Sequence, residues 1–254
     1  MTDNENENRT HKTIEQAEKE GKYIRKVRSF VKREGRLTNA QGRALEEHWS
    51  TMGLNHSDGL LDFAKVFGNN NPVVLEIGFG MGKSLVEMAK AAPELNFIGI
   101  EVHRPGVGAC IATAQENNVT NLKVYEHDAI EILADCIPAQ SLTTVQLFFP
   151  DPWHKTRHHK RRLINEAFIE DLHRIIRPGG TFRFASDIIH YVDWTLTRMH
   201  RHGGWDWTAE SHADWTVRPD DWPGTRYEAK AIREGRVPQY FKFIKLDPAQ
   251  KASS

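Results

Sequence analysis

The sequence predicts a doubly wound α/β domain, with a mostly parallel sheet of seven strands and helices on both faces. Two observations predict it. Between Pro72 and Asp187 short apolar runs alternate with longer amphipathic ones, and a glycine-rich turn joins the first of those runs to the segment after it. Strand and helix in alternation build a parallel sheet, because each helix carries the chain back across one face.

Taken in order, 73–77 reads as a strand and 85–92 as a helix, then 96–102 and 107–117, then 122–127 and 130–137, each an apolar strand followed by an amphipathic helix. The run 142–149 is a buried strand by length and composition. A helix over 163–176 is stopped by Pro178-Gly179-Gly180, and 181–185 forms the next strand. To this point the pattern is Rossmann-like. Beyond it, 191–200 reads as a helix, 205–210 as a strand and 240–246 as the last strand. A single domain over 72–246 is therefore expected, after a basic extension over 22–71. The polar, acidic residues 1–21 carry no apolar period and are expected to be a disordered tail, and 247–254 a short C-terminal tail.

Composition narrows the class of function. No apolar run approaches the roughly 18 residues of a membrane span, and the first twenty residues resemble neither a secretory signal nor a transit peptide. A cytoplasmic protein without membrane contact is expected. Cys110 and Cys136 are too few for a disulfide framework or a four-cysteine metal site and read as small buried apolar residues. Lys and Arg total 34 against 34 Asp and Glu, which taken alone argues against a nucleic-acid binder. The distribution reverses that impression. Seven cations (Lys22, Arg25, Lys26, Arg28, Lys32, Arg33, Arg36) fall between residues 22 and 36 against the single Glu34, and five more lie in 155–162 with no acid among them.

The segment Val73-Val74-Leu75-Glu76-Ile77-Gly78-Phe79-Gly80-Met81-Gly82-Lys83-Ser84 is a buried strand that ends in a glycine turn. Glycine lets the backbone pass close to a ligand and take conformations closed to other residues. Three acids sharpen the reading: Glu76 before the turn, Glu101 at the end of the second strand and Asp128 at the end of the third. Carboxyl ends of parallel strands line one crevice, so these carboxylates converge there. Glu101 suits ribose recognition, since a charged acceptor takes two O–H hydrogen bonds. A nicotinamide cofactor fits this much equally well. The glycine spacing is Gly-x-Gly-x-Gly rather than the dinucleotide Gly-x-Gly-x-x-Gly, and with Glu76 it resembles class I methyltransferases. That resemblance implies S-adenosylmethionine as cofactor, with Gly78 and Gly80 along it, Glu76 at its methionine end and Asp128 facing the adenine amino group.

After the fourth strand comes Pro150-Asp151-Pro152-Trp153-His154-Lys155-Thr156-Arg157-His158-His159-Lys160-Arg161-Arg162. This is similar to the Pro-Asp-Pro-Trp-x-Lys-x-x-His-x-Lys-Arg-Arg motif of the tRNA (guanine-N7-)-methyltransferase family, bacterial single-chain type. Arg28-Ser29-Phe30-Val31 with Arg33, Gly35 and Arg36, and Thr225-Arg226-Tyr227-Glu228, agree with it. The resemblance implies methyl transfer to N7 of the variable-loop guanine of tRNA (position 46 in tRNA convention), with Asp151 as the central catalytic residue and a further cofactor-site residue. It also implies that Lys155, Asp187, Thr225, Arg226, Tyr227 and Glu228 bind substrate. The density of cations makes Arg157, His158, His159, Lys160, Arg161 and Arg162 candidates for RNA contact, and the 22–36 stretch a basic arm. Trp153 stacks on a base or caps the core, packing being the commoner use of a large aromatic.

The three histidines at 154, 158 and 159 lack cysteine or acidic partners at ligand spacing, so no metal is expected. A nicotinamide-dependent oxidoreductase would leave the Pro-Asp-Pro-Trp motif idle, and a non-catalytic RNA-binding protein would leave Asp151 and the strand-end acids idle. The full motif set implies a chain that works without an obligatory protein partner, as monomer or homodimer.

Overall fold

The computed structural model describes residues 29–30 and 35–247. The acidic tail, most of the basic arm (Lys22, Arg25, Lys26, Arg28, Lys32 and Arg33) and all but the first residue of the C-terminal tail lie outside the described residues. The described chain falls into two compact units. Ser29, Phe30 and Trp153–Arg161 make the smaller, and the remainder makes the larger.

The larger unit is built on one sheet. Its elements are α1 (Asn39–Met52), β1 (Gly53–Leu54), α2 (Phe63–Phe67), β2 (Val73–Ile77), α3 (Lys83–Ala91), β3 (Asn96–Glu101), α4 (Arg104–Glu116), β4 (Leu122–Glu126), α5 (Ala129–Cys136) and β5 (Leu142–Phe148). They continue with α6 (Glu166–Ile175), β6 (Ile176–Ser186), α7 (Ile189–His202), β7 (Trp205–Trp207), α8 (Ala213–Thr216), α9 (Arg226–Arg233) and β8 (Gln239–Lys245). The strand order is β1-β4-β3-β2-β5-β6-β8-β7. All pairs up to β5–β6 are parallel, and β8 runs antiparallel to both β6 and β7. The seven expected strands are all present. The eighth is the two-residue β1, which pairs Gly53 and Leu54 with Val124 and Tyr125 and is too short for a period-two signal.

The sheet is covered on both faces. In β2, Val73, Leu75 and Ile77 pack into the cluster that holds Ile132 and Leu133 of α5 and Phe168, Ile169 and Leu172 of α6. Val74 points the other way, into a cluster with Leu85 and Val86 of α3, Val107, Cys110 and Ile111 of α4, and Ala44, Leu45 and Met52 of α1. The second half of the predicted basic extension thus supplies core side chains. Thr38 caps α1 through a reciprocal pairing with Gln41, a pattern with the Ser/Thr-x-x-Glu/Gln signature.

One boundary moved. Pro178-Gly179-Gly180 lies inside β6 rather than between a helix and a strand, where a register shift against β5 between Leu142 and Thr144 absorbs it. Proline has no N–H for the ladder, and such an irregularity is where a strand tolerates it.

The switch point, where the chain leaves β2 for β3 on one side and later returns to β5 on the other, places the carboxyl ends of β2, β3, β4 and β5 along one edge. At the opposite edge, where β3 and β4 begin, Asn121 closes the α3–β3 connection by donating from its amide to the carbonyls of Ala89 (2.9 Å), Ala92 (3.1 Å) and Leu95 (2.8 Å). Asn121→Ala strands these acceptors, and is expected to lower stability by about 1–3 kcal/mol and the melting temperature by several degrees. Calorimetry checks this; an unchanged transition would mean that water replaces the amide fully.

Candidate functional site

Three left-handed glycines shape the turn after β2: Gly78 (φ 74°), Gly80 (φ 62°) and Gly82 (φ 76°). They are not equivalent. A side chain at Gly82 would strike Cys110 of α4, whereas one at Gly78 would meet nothing within 4 Å, so Gly78 borders open space. The turn is also crowded from behind, since a Cβ on Gly106 of α4 would lie 2.1 Å from the Gly80 carbonyl oxygen.

Glu101 ties this turn to β3. One carboxylate oxygen accepts the Gly80 N–H at 2.9 Å, and the other accepts the N–H groups of Val102 (2.7 Å) and His103 (2.9 Å). The half-buried side chain therefore has a structural task besides its expected ribose contact. Its first oxygen retains a lone pair for a hydroxyl donor. Asp128 is the N-cap of α5, with one oxygen accepting the Ile130 N–H at 3.1 Å and the other left for an amino group.

Glu76 is 3% exposed in the middle of an apolar strand. It sits on the α3/α4 side of the sheet, opposite Gln146 of β5 in register, and its carboxylate accepts the Gln146 amide N–H at 3.0 Å. Burial pushes its pKa up to about 7; the Gln146 hydrogen bond acts against this, and the nearby Glu101 adds to it. Gln146 is completely buried, and its carbonyl oxygen has no hydrogen-bond partner. A carboxylate that burial disfavours and an orphaned acceptor beside an open turn form a site suited to a cationic ligand. Gln146 was not singled out in the sequence, although an amide in the apolar run of β5 was a visible signal.

Asp151 is exposed, three residues past β5, the strand that pairs with β2. Its loop leaves β5 through Phe149 in a left-handed conformation (φ 51°), with the Phe149 N–H bonded to the Ala185 carbonyl at 2.8 Å. Asp187, just past β6, is held by the Arg236 guanidinium. Thr225 and Glu228 form the capping box of α9, each accepting the other's backbone N–H (3.0 and 3.1 Å). Glu228 is buried and also takes Arg218 at 2.9 Å and the Tyr240 hydroxyl. Of the four residues expected to bind substrate here, Arg226 and Tyr227 are the exposed pair, and the Tyr227 ring reaches Gly80, 4.0 Å from where a Cβ would stand.

In the smaller unit, Lys155 is exposed and Thr156–Arg161 forms a 3₁₀ turn. Arg157 and Lys160 are exposed, while His158, His159 and Arg161 are half-buried. Trp153 donates to the Ser29 carbonyl at 3.0 Å, meets His158 edge-on at 5.9 Å and carries the Arg161 guanidinium 4.8 Å from its ring, so its packing reading fits this unit. Partial desolvation and then the charges of Arg157, Arg161, Lys155 and Lys160 hold the His158 imidazole below its ordinary pKa. Arg162 departs from expectation. It belongs to the larger unit, is 3% exposed, and is turned inward rather than toward solvent. Among the described residues no group of three or more His, Cys, Asp or Glu is arranged to hold a metal ion, and no helix is long and apolar enough to cross a membrane.

Comparison with known proteins agrees with this geometry. Residues 70–239 match a family model described as "Putative methyltransferase". The chain is 62% identical over 241 residues to a tRNA (guanine-N(7)-)-methyltransferase of Colwellia psychrerythraea, covering 95% of this chain and 98% of that one. It is 58% identical to the protein of the same name from Pseudoalteromonas translucida, covering 87% and 92%. Among solved structures, the fold is similar to a 16S rRNA (adenine(1408)-N(1))-methyltransferase variant from Catenulisporales acidiphilia with cosubstrate SAM (TM-score 0.51, 17% identity, 77% and 93% covered).

The raised pKa of Glu76 predicts a pH effect with a definite sign. The folded protein keeps this proton above pH 4.5 and the unfolded chain does not, so the contribution to stability is whole below 4.5 and is lost as pH rises through about 7. Glu76→Gln, which cannot ionise, is expected to gain stability over the ligand-free native chain as pH is raised, reaching about 3 kcal/mol by pH 8. Melting curves of both proteins from pH 5 to 8 check it, and a pH-independent difference would refute a buried protonated Glu76.

Proposed function

The chain belongs to the tRNA (guanine-N7-)-methyltransferase family, and from that premise we propose that it methylates N7 of the variable-loop guanine of tRNA, guanine 46 in tRNA convention, using S-adenosylmethionine. The observation that carries the reading is the exposed Asp151 carboxylate at the carboxyl end of β5, the strand paired with the one that bears Glu76. The relatives that match along nearly the whole chain carry the same activity in their names. They support neither an oxidoreductase nor a non-catalytic RNA binder.

The residues present fit the cofactor. Gly78 leaves the backbone bare beside open space and Gly80 leaves it bare against the Tyr227 ring, Glu76 and the Gln146 carbonyl oxygen offer acceptors to an ammonium group, and Glu101 and Asp128 each keep a free acceptor for ribose and adenine. S-adenosylmethionine, when bound, supplies a methyl group on a positively charged sulfur. Guanine N7 is a bare lone pair without a proton, so the protein needs no general base, and orientation supplies most of the acceleration. Asp151 accepts from the guanine N1–H and amino group and offsets the positive charge that methylation places on the ring. Arg226 and Tyr227, both exposed and the latter with its ring beside Gly80, are the substrate-facing members of their segment; Thr225 and Glu228 fix α9, and Asp187 is fixed by Arg236. Lys155, Arg157, His158, His159, Lys160 and Arg161 contact the RNA, mainly its phosphates, and the 22–36 stretch is a basic arm that grips it. The same reading takes 72–246 as the methyltransferase domain of a cytoplasmic protein that needs no partner subunit.

Transfer of labelled methyl to unmodified tRNA, followed by borohydride and aniline cleavage at 7-methylguanosine, is expected to give one cut in the variable loop. Methyl incorporation without that cut would discard the N7 assignment. Asp151→Ala is expected to abolish turnover while leaving S-adenosylhomocysteine affinity within about tenfold. Near-native turnover would remove Asp151 from the chemistry. Changing Lys160 and Arg161 together to Ala is expected to flatten the log-log salt dependence of tRNA binding by about two units, one per lost phosphate contact.

A further inference from the structure

Arg162 stands last in a run of five cations and lies in the stretch assigned to RNA, yet its surroundings are those of an internal brace. Its Nε–H donates to the Pro152 carbonyl oxygen at 2.9 Å, and an Nη1–H reaches the His190 carbonyl oxygen at 3.4 Å. The guanidinium lies 5.0 Å from the Tyr191 ring and 4.8 Å from the Trp194 ring. Tyr191 is completely buried, which pushes its phenol pKa up, while its bond to the Ile164 N–H and the Arg162 charge act against this.

The loop that carries Asp151 needs such a brace. Proline at 150 and 152 removes two backbone donors, and Phe149 sits in a left-handed conformation disfavoured for a side chain of its size. Asp151 lies between two fixed points, the Phe149 N–H, bonded to Ala185, and the Pro152 carbonyl, bonded to Arg162. His190 and Tyr191 open α7, just after Asp187. One planar side chain therefore joins the loop after β5 to the helix after β6. Only arginine combines in-plane donors for two carbonyls with flat faces for two aromatic rings.

We propose that Arg162 is a positioning residue that holds Asp151 in place for methyl transfer and makes no contact with RNA phosphate. This rests on the role of Asp151 in the reading above. A cation sealed from solvent reaches no phosphate and releases none of the counterions condensed on the RNA, so its loss leaves the salt dependence of binding untouched, unlike that of an exposed arginine.

The test uses the full chain with Arg162→Met and Arg162→Lys, labelled S-adenosylmethionine and unmodified tRNA. Arg162→Met is expected to lower kcat by about 100-fold while KM for tRNA and S-adenosylhomocysteine affinity stay within about threefold, and the Lys variant to recover at least about tenfold of the loss. The slope of log affinity for tRNA against log salt is expected to match the native chain, and hydrogen exchange to quicken at the Asp151 amide and in the first turn of α7. A slope lowered by about one unit would make Arg162 a phosphate ligand, and an unchanged kcat would remove it from positioning. Should Arg162→Met fail to fold, Trp194→Leu removes one stacking face, along with the Trp194 N–H bond to the Ile164 carbonyl and the contact with Arg198, and leaves both hydrogen bonds of Arg162. It is expected to lower kcat by about tenfold at constant salt slope, and no change in kcat would overturn the proposal. A native chain that makes no 7-methylguanosine in the same assay counts against the activity itself, whereas an active native chain with an equally active Arg162→Met counts against Arg162 alone.

Discussion

The site depends on the carboxylate of Glu101. It accepts three backbone N–H groups, one from the glycine turn after β2 and two from the start of the β3–α4 connection. Charged acceptors make strong hydrogen bonds to backbone donors, so this side chain holds two strand ends at a fixed separation. The open space beside Gly78 and the close passage of Gly106 against the Gly80 carbonyl both follow from where that turn is pinned. Catalysis by orientation tolerates little play, and a turn anchored by a charge has little.

Charge is used in two opposite ways in this chain. The acids proposed to serve the cofactor are buried or half-buried, to the point where burial raises the pKa of Glu76. The cations of 155–161 stay largely at the surface of the smaller unit, where partial desolvation and then their charges lower the pKa of His158. A protein of zero formal charge can serve a polyanion because the two signs occupy different places.

Arg161 and Arg162 show how far sequence carries such a reading. The two are adjacent and chemically identical, and both stand in the same motif. Arg161 stacks on Trp153 in the smaller unit, while Arg162 is enclosed by Tyr191 and Trp194 and bonded to Pro152. Nothing local distinguishes them, since the two rings and the His190 carbonyl that enclose Arg162 come from α7. Thr225 and Glu228 give the converse case. Their spacing is that of a capping box, a signal legible in the sequence, and the structure uses them so.

The sequence by itself determined the strand order of events along the chain: apolar runs long enough only for strands, amphipathic runs between them, and a glycine turn with acids at three strand ends. These are signals of period and composition, which neighbouring residues express without reference to the rest of the chain. The length of α1 and its burial against α4, the two-residue β1, and the passage of β6 through Pro178-Gly179-Gly180 were decided by tertiary structure. So were the pairing of Glu76 with Gln146, the capture of Asp187 by Arg236 and the inward turn of Arg162. Each joins residues far apart in sequence, and what a side chain does there is set by the low-dielectric surroundings and partners that only the folded chain brings to it.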